Sequence, residues 1–316
     1  MKIIVAGGAG FIGSHLTRRL ARDGHQVVVL DNLLTGSERN IELFKKYPGI
    51  EFIRQDITET ISEKWDHIDA IYDMACPASP VDFGPHAIEI LRVSSQGVYN
   101  LLELARKYNA RLLQASTSEC YGDPLVNPQP ETYWGNVNPI GARSCYDEGK
   151  RYAEALIMAY HRKYGLKTHL ARIFNTYGPD MRLDDGRVLP NFVCQALAGK
   201  PISVYGDGSQ TRSFCYVDDL VKGLVRLMAS DFAEPVNLGN PDEIPVRQLA
   251  EEVISLTGSS SQIKYLPLPG DDPKLRRPDI SRAKMVLNWQ PTVDRITGVS
   301  KTIPYFREML GMKIHE

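Results

Sequence analysis

At 316 residues with a formal net charge of −1, the chain is long enough to bury a large core and to divide into two domains. Its charges are mixed, and no basic stripe that would follow a nucleic-acid backbone is present. Five scattered cysteines, odd in number and without Cys-x-x-Cys spacing, argue for reduced thiols in the cytosol and against a disulfide framework or a zinc site. No apolar run approaches the roughly 20 residues of a membrane span, and the sequence opens on a core strand with no signal peptide ahead of it. The expectation is a soluble cytoplasmic protein that needs no metal.

The first element, Ile3-Ile4-Val5-Ala6, reads as a buried strand. Gly7, Gly10 and Gly13 follow at a spacing of three, and Phe11, Ile12 and Leu16 begin the apolar face of a helix. Gly7 permits a tight turn, Gly10 lets the backbone approach a pyrophosphate, and Gly13 lets the helix pack close on the strand. The helix N-terminus supplies free N–H groups and a favourable dipole for the anion. A second strand over 26–30 ends in Asp31, eighteen residues after Gly13. An acid there accepts hydrogen bonds from the adenosine ribose and repels a 2′-phosphate, so NAD is expected in preference to NADP. Asn32, Thr35 and Gly36 form a loop beside the adenosine.

A third strand over 50–53 precedes Gln55-Asp56-Ile57, where Asp56 suits either an adenine contact or a plain loop acid. A fourth strand over 69–75 runs into Cys76-Pro77-Ala78-Ser79-Pro80, stiffened by two prolines at the carboxyl edge of the sheet. A helix over 89–108 and a fifth strand over 111–115 follow. Strands and helices alternating at these lengths indicate an α/β fold built on a doubly wound parallel Rossmann sheet. The fifth strand leads into Ser116-Thr117-Ser118-Glu119, polar residues that packing does not explain. A loop then reaches Tyr146-Asp147-Glu148-Gly149-Lys150 and a helix to 164, with Tyr146 and Lys150 on one face and Arg151 and Glu154 on the solvated side.

After a sixth strand over 168–174 the character changes. A helix opens near 184–192, segments 202–205 and 211–216 suggest a small β element, a helix starts at Val217, and 236–239 reads as a strand. Residues 267–278 are rich in proline and charge, containing Asp271-Asp272-Pro273 and Arg276-Arg277-Pro278. The expected division is an NAD-binding domain over 1–174, rejoined by 217–240, and a smaller C-terminal α/β substrate domain from 175–216 and 241–316.

A phenol is a poor base at its ordinary pKa of about 10. A lysine ammonium one helical turn away, with the positive nicotinamide of NAD⁺, favours the phenolate. Tyr146, Lys150 and Thr117 therefore suit removal of a proton from an alcohol while hydride leaves its carbon.

Over essentially its whole length the chain resembles the extended short-chain dehydrogenase/reductases that act on nucleotide sugars, and more narrowly the UDP-glucuronate decarboxylase (UDP-xylose synthase) family. The likeness is carried by Cys76-Pro77-Ala78-Ser79-Pro80, Ser116-Thr117-Ser118-Glu119, Tyr133-Trp134-Gly135, Val137-Asn138-Pro139-Ile140-Gly141, Arg143-Ser144-Cys145-Tyr146-Asp147-Glu148-Gly149-Lys150-Arg151, Arg172-Ile173-Phe174-Asn175-Thr176 and the stretch 207–212. The resemblance implies Thr117, Ser118, Glu119, Tyr146 and Lys150 as the catalytic set. It adds Phe11, Ile12, Ile57, Ala75 and Arg172 to the cofactor contacts. Asn175, Asn191 and Arg277, or Arg276 in its place, are implied as diphosphate and sugar ligands, and Tyr205 with Arg212 as the nucleoside clamp. Arg92 and Arg187 are candidates for neutralising the diphosphate or carboxylate, while Tyr205 also suits a core position.

The triplet after the fifth strand separates the sister activities. The 4-epimerases of this family carry small neutral residues there, and the 4,6-dehydratases carry Asp-Glu to protonate a departing hydroxyl and remove the C5 proton. Ser118-Glu119 suits a reaction in which C6 leaves as CO₂, with Glu119 ordering a water or the glucuronate near C5. The alternatives are a UDP-glucuronate 4-epimerase, a 4,6-dehydratase, or an NAD-binding sensor of nucleotide sugars without turnover. The family's paired helices imply a homodimer. One departure is Asp73-Met74, where the family often has His-Leu.

Overall fold

The computed structural model describes residues 1–62, 64–267 and 275–312; Asp271-Asp272-Pro273 lies outside the described residues. In chain order the first half runs β1 (Lys2–Ala6), α1 (Phe11–Arg22), β2 (Gln26–Asp31), α2 (Glu38–Phe44), β3 (Ile50–Arg54) and β4 (Ala70–Asp73). Next come α3 (Ala87–Arg92), a π turn (Val93–Gly97), α4 (Val98–Tyr108), β5 (Arg111–Thr117), α5 (Ser144–Tyr164) and β6 (Thr168–Ile173). The second half adds β7 (Thr176–Tyr177), α6 (Val188–Leu197), β8 (Ile202–Tyr205), β9 (Thr211–Ser213), β10 (Cys215–Tyr216), α7 (Val217–Ala229) and β11 (Pro235–Leu238). It closes with β12 (Glu243–Pro245), α8 (Val246–Thr257), β13 (Ile263–Leu266), α9 (Ser281–Leu287) and α10 (Arg295–Met309).

Seven strands form one sheet in the order β11-β6-β5-β4-β1-β2-β3, every neighbouring pair parallel. The run Ile3-Ile4-Val5-Ala6 is apolar at every position because both faces of this sheet are covered. Ile3 and Val5 join one core with Leu16, Leu20 and Leu224. Ile4 and Ala6 join the other with Leu101, Leu102, Ala153 and Ile157. Helices α1 and α7 thus cover one face, and α4 and α5 the other. From β1 the chain winds outward through β2 and β3, then returns to β4 on the opposite side. Reversal of winding between β1 and β4 opens a crevice at their carboxyl ends, where such sheets bind ligands.

Three local readings change. The fourth strand stops at Asp73, because its carboxylate accepts the Ala75 N–H at 3.0 Å and turns the chain. The fifth extends to Thr117, in register with Ile173, so Ser116 and Thr117 belong to the strand itself. Segment 211–216 is not one element with 202–205. β8 pairs with β13, β9 with β12 and β10 with β7, each drawing its partner from a distant part of the chain. No helix among the described residues is long and apolar enough to cross a membrane.

Candidate active site

The crevice is a cleft of about 540 Å³ that runs from the glycine turn, past the ends of β4 and β5, to the second lobe. At its nucleotide end the chain leaves β1 through Gly7 with φ +72°. A Cβ on Gly7 would lie 2.6 Å from the Ala75 backbone, and one on Gly13 would strike the Gly7 carbonyl oxygen. Only glycine lets the turn, the helix and the strand end meet this closely. Gly10 caps α1 with no side-chain bond from a described residue, so the first-turn N–H groups face the cleft and suit an anion. Phe11 and Ile12 line the same wall.

Asp31 sits at the tip of β2 with both carboxylate oxygens held, one by the Ala9 N–H at 2.9 Å and one by the Leu33 N–H at 2.8 Å. Burial pushes its pKa up, and these two backbone bonds oppose that shift. Gly36 closes on it so tightly that a Cβ there would be 2.8 Å from Oδ1. Asn32 donates to Asp56 at 2.9 Å, and the Thr58 N–H to its other oxygen at 2.8 Å. Burial works against the Asp56 carboxylate, but these bonds and Arg92 outweigh it and hold its pKa below the usual range. Thr35, Ile57 and Ala75 complete this end. Arg92 belongs here too. It lines the cleft and pairs with Glu59 at 3.1 Å beside Asp56.

The middle of the cleft holds the reactive groups. Thr117 Oγ1 accepts the Glu119 N–H at 3.2 Å, capping a 3₁₀ turn that places Ser118 and Glu119 on the cleft wall. Tyr146, in the first turn of α5, stacks on Phe83 with ring centres 5.1 Å apart. Burial pushes its phenol far above the usual range, the Cys76 thiol adds to this, and a hydrogen bond with Thr117 opposes it. Lys150, one turn on and 3 % exposed, donates to the Ala115 carbonyl at 2.9 Å. Its Nζ lies 5.9 Å from the centre of the Tyr146 ring.

Glu119 is clamped by two guanidinium groups. Arg143 donates to Oε2 at 2.7 Å and Arg276 to the same oxygen at 3.2 Å. Burial would raise its pKa, but Arg276 and Arg143 outweigh that and hold it below the usual range. Glu119 is therefore a fixed anion rather than a proton donor. Arg276, 2 % exposed, also donates to the Ser118 carbonyl. Of the two adjacent arginines it is the one in the cleft. Arg277 is tied through its backbone, its N–H donating to the Gln129 side chain at 2.8 Å and its carbonyl accepting from the Gln129 N–H at 2.9 Å.

Arg172 is held by side chains of α5 and of the turn after β5. Its guanidinium forms a two-pronged pair with Glu154, at 2.9 and 2.7 Å, and donates to the Tyr121 hydroxyl at 3.1 Å. Glu154 is consequently not on a solvated face, since it also accepts from the Ser116 hydroxyl. Arg151 is 38 % exposed at its side chain, as a solvated face implies, and donates to the Cys120 and Trp134 carbonyls at 3.1 and 2.7 Å. These bonds fasten α5, the carrier of Tyr146 and Lys150, to β5 and β6.

Asn175, Arg187, Asn191, Tyr205 and Arg212 line the second-lobe end. Asp185 holds Arg187 two-pronged, with Nη2 to Oδ2 at 2.6 Å. Asn191 donates to the Gly186 carbonyl at 3.1 Å, and Arg212 to the Thr211 carbonyl at 2.8 Å. Tyr205 is 44 % exposed, which excludes the core reading. The sequence reading gave no role to Phe83 or Arg143. Arg143 lay inside the quoted motif three residues before Tyr146, and nothing in the sequence pointed to Phe83.

Residues 3–239 match the NAD dependent epimerase/dehydratase family. The chain is 50% identical over 309 residues to UDP-glucuronic acid decarboxylase 1 of Danio rerio, spanning 98% of this chain and 73% of the relative. It is 50% identical over 313 residues to UDP-glucuronic acid decarboxylase 5 of Arabidopsis thaliana, spanning 99% and 91%. Among solved structures, UDP-glucuronic acid 4-epimerase from Bacillus cereus in complex with UDP-glucuronic acid and NAD superposes with a TM-score of 0.85. The two are 29% identical, over 98% of this chain and 100% of that one. Fold, glycine cradle and sequence agree: the chain belongs to the NAD dependent epimerase/dehydratase family of extended short-chain dehydrogenase/reductase enzymes, and its full-length likeness is to the UDP-glucuronic acid decarboxylases.

Proposed function

We propose that the chain converts UDP-glucuronate to UDP-xylose and CO₂ with NAD regenerated in each turnover. The observation that carries this reading is the pair Ser118-Glu119. Glu119 is held as a carboxylate by Arg143 and Arg276, and Ser118 offers no acid for a departing C6 hydroxyl. The glycine turn and the first turn of α1 would hold the pyrophosphate, Asp31 the adenosine ribose, and Tyr146 with Lys150 the nicotinamide end. Bound there, NAD⁺ supplies the acceptor for the C4 hydride and afterwards its donor.

Tyr146 takes the C4 hydroxyl proton as C4 is oxidised, with the Lys150 ammonium favouring the phenolate. The glucuronate carboxylate is then β to a ketone. The C5–C6 bond breaks, and its electron pair moves into an enolate whose oxygen is on C4. Thr117 and Tyr146 stabilise that oxyanion. CO₂ leaves neutral and needs no proton. C5 takes a proton from water ordered by Glu119, C4 is reduced, and Tyr146 returns its proton to the C4 oxygen.

Residues 1–174 with 217–240 form the NAD-binding unit in this reading, and 175–216 with 241–316 take the nucleotide sugar through Asn175, Arg187, Asn191, Tyr205, Arg212 and Arg276. Exposed Ile88, Leu91, Tyr99 and Tyr152 on α3, α4 and α5 support a homodimer joined through those helices, for which light scattering at micromolar concentration should give twice the chain mass. The free thiols support a cytoplasmic protein, checked by cell fractionation. The function itself is tested by proton NMR with UDP-glucuronate and NAD⁺ in D₂O. UDP-xylose carrying deuterium at C5 is expected. UDP-galacturonate, unchanged substrate, or NADH accumulating one-for-one with a free 4-keto sugar would overturn the reading.

A further inference from the structure

Tyr146 sits where neither main core reaches. With Phe83, Ile90 and Cys145 it forms a small apolar cluster, apart from the two cores that flank the sheet. Its ring lies on Phe83 at an interplanar angle of 17°, and the Cys145 thiol donates to the Phe83 carbonyl at 3.6 Å. Stacked rings have a preferred mutual geometry, so the place of one constrains the other. Whatever fixes Phe83 therefore bears on the phenol.

Phe83 ends a short segment beyond β4, just after the 3₁₀ turn Pro80–Asp82. That segment is fastened to the loop between β7 and α6. The Ser79 hydroxyl donates to the Asp185 carbonyl, and Arg182 Nη2 donates to both Asp82 oxygens at 3.0 Å. Val81 packs so closely on Gly186 that a Cβ there would strike it. The same loop sets two side chains given above to the nucleotide sugar. Asp185 holds Arg187 at 2.6 Å, and the Gly186 carbonyl accepts from Asn191 at 3.1 Å.

We infer that Phe83 is a positioning residue for Tyr146, and that the loop carrying the nucleotide-sugar contacts holds it there through the Asp82–Arg182 pair. The inference rests on the role given above to Tyr146. A base must come within hydrogen-bond reach of the proton it takes, and a small misplacement of a reacting group lowers the rate.

Phe83→Leu keeps an apolar side chain and removes the flat partner, while Phe83→Tyr retains it. With UDP-glucuronate, Phe83→Leu should lower kcat about tenfold and leave KM within about twofold. Phe83→Tyr should stay within about threefold of the parent. An unchanged kcat in Phe83→Leu, a rise in KM alone, or equal losses in the two variants overturns the inference. Arg182→Gln cuts the anchor and touches neither ring. In NAD⁺-loaded protein carrying ¹³C-labelled tyrosine, the Tyr146 ring signal is assigned by its loss in Tyr146→Phe. The stacked Phe83 shields it, so in Arg182→Gln it should move downfield as the stack loosens. A signal that stays at the parent position overturns the inference, and this measurement decides alone where Phe83→Leu does not fold. The kcat losses of Arg182→Gln and Phe83→Leu should not multiply in the double variant, because both free the same ring; losses that multiply overturn the inference. The ring signal needs no turnover. A downfield shift in a protein that makes no UDP-xylose would sink the decarboxylase reading and leave Phe83 as the residue that places Tyr146.

Discussion

The nucleotide end of the cleft and its reactive middle are held by different physics. At the nucleotide end the backbone does the holding. Gly7 and Gly13 admit no Cβ, and two backbone N–H groups grip Asp31. In the middle, charged side chains hold one another, and they come from far apart in the chain. Arg276 is 157 residues from the Glu119 it clamps, and Arg182 is 100 from Asp82. Steric fit makes the glycine turn at the first end intolerant of added atoms. Pairing makes the second tolerant of small shape changes and sensitive to every charge removed.

The largest effect expected is in the middle. Tyr146→Phe keeps the ring against Phe83 and removes only the hydroxyl, so kcat for UDP-xylose formation should fall about 10³-fold while NAD⁺ retention stays unchanged. A loss below tenfold would place the base elsewhere. Next is the pair that fastens α5 to the sheet. Glu154→Ala leaves the buried Arg172 guanidinium without its carboxylate, which costs about 3–5 kcal/mol. Urea unfolding measures it, and a loss under about 1 kcal/mol would show the pair to be ornamental.

At the nucleotide end the matching test adds a methyl group and removes no charge. Gly7→Ala puts a Cβ 2.6 Å from the Ala75 backbone at a φ of +72°. It should cost about 1–3 kcal/mol of stability and weaken NAD⁺ on the order of 100-fold by calorimetry, as the turn opens. Equal NAD⁺ affinity would break the contrast, because the cradle would then be held by something other than fit.

The same contrast explains what could be read from the sequence. Glycines three residues apart after an apolar run state a local backbone geometry, so strand, turn, helix and Asp31 were all legible. Tyr146 and Lys150 were legible because four residues of helix bring them onto one face. The partners of Arg172 and Arg276 were not legible, because a guanidinium's partner is chosen by tertiary structure: Glu154 pairs with the first and Glu119 with the second. Phe83 left no trace, since its stacking partner is 63 residues distant. The small strands β9, β10, β12 and β13 were unreadable or merged because each pairs with a distant segment, and two to four residues carry little periodicity of their own.

The seam between the two halves gives the smallest effect and the finest test. Arg18 on α1 pairs with Asp180, beyond β7, at 2.6 Å, and His15 lies 3.3 Å from the same oxygen. Burial would raise the Asp180 pKa, but His15 and Arg18 outweigh it and bring it down from 3.8 to about 2. A carboxylate depressed in this way stabilises the fold above its unfolded pKa near 4, and that contribution is lost as pH falls toward 2. Its size is about 2 kcal/mol. Asp180 has φ +68°, a conformation asparagine also tolerates, so Asp180→Asn removes the charge without straining the backbone. The variant should be less stable than the parent by a constant amount from pH 7 down to 5, and the gap should narrow only below pH 4. A gap that closes already between pH 7 and 5 would show that the depressed Asp180 carboxylate is not what holds the seam.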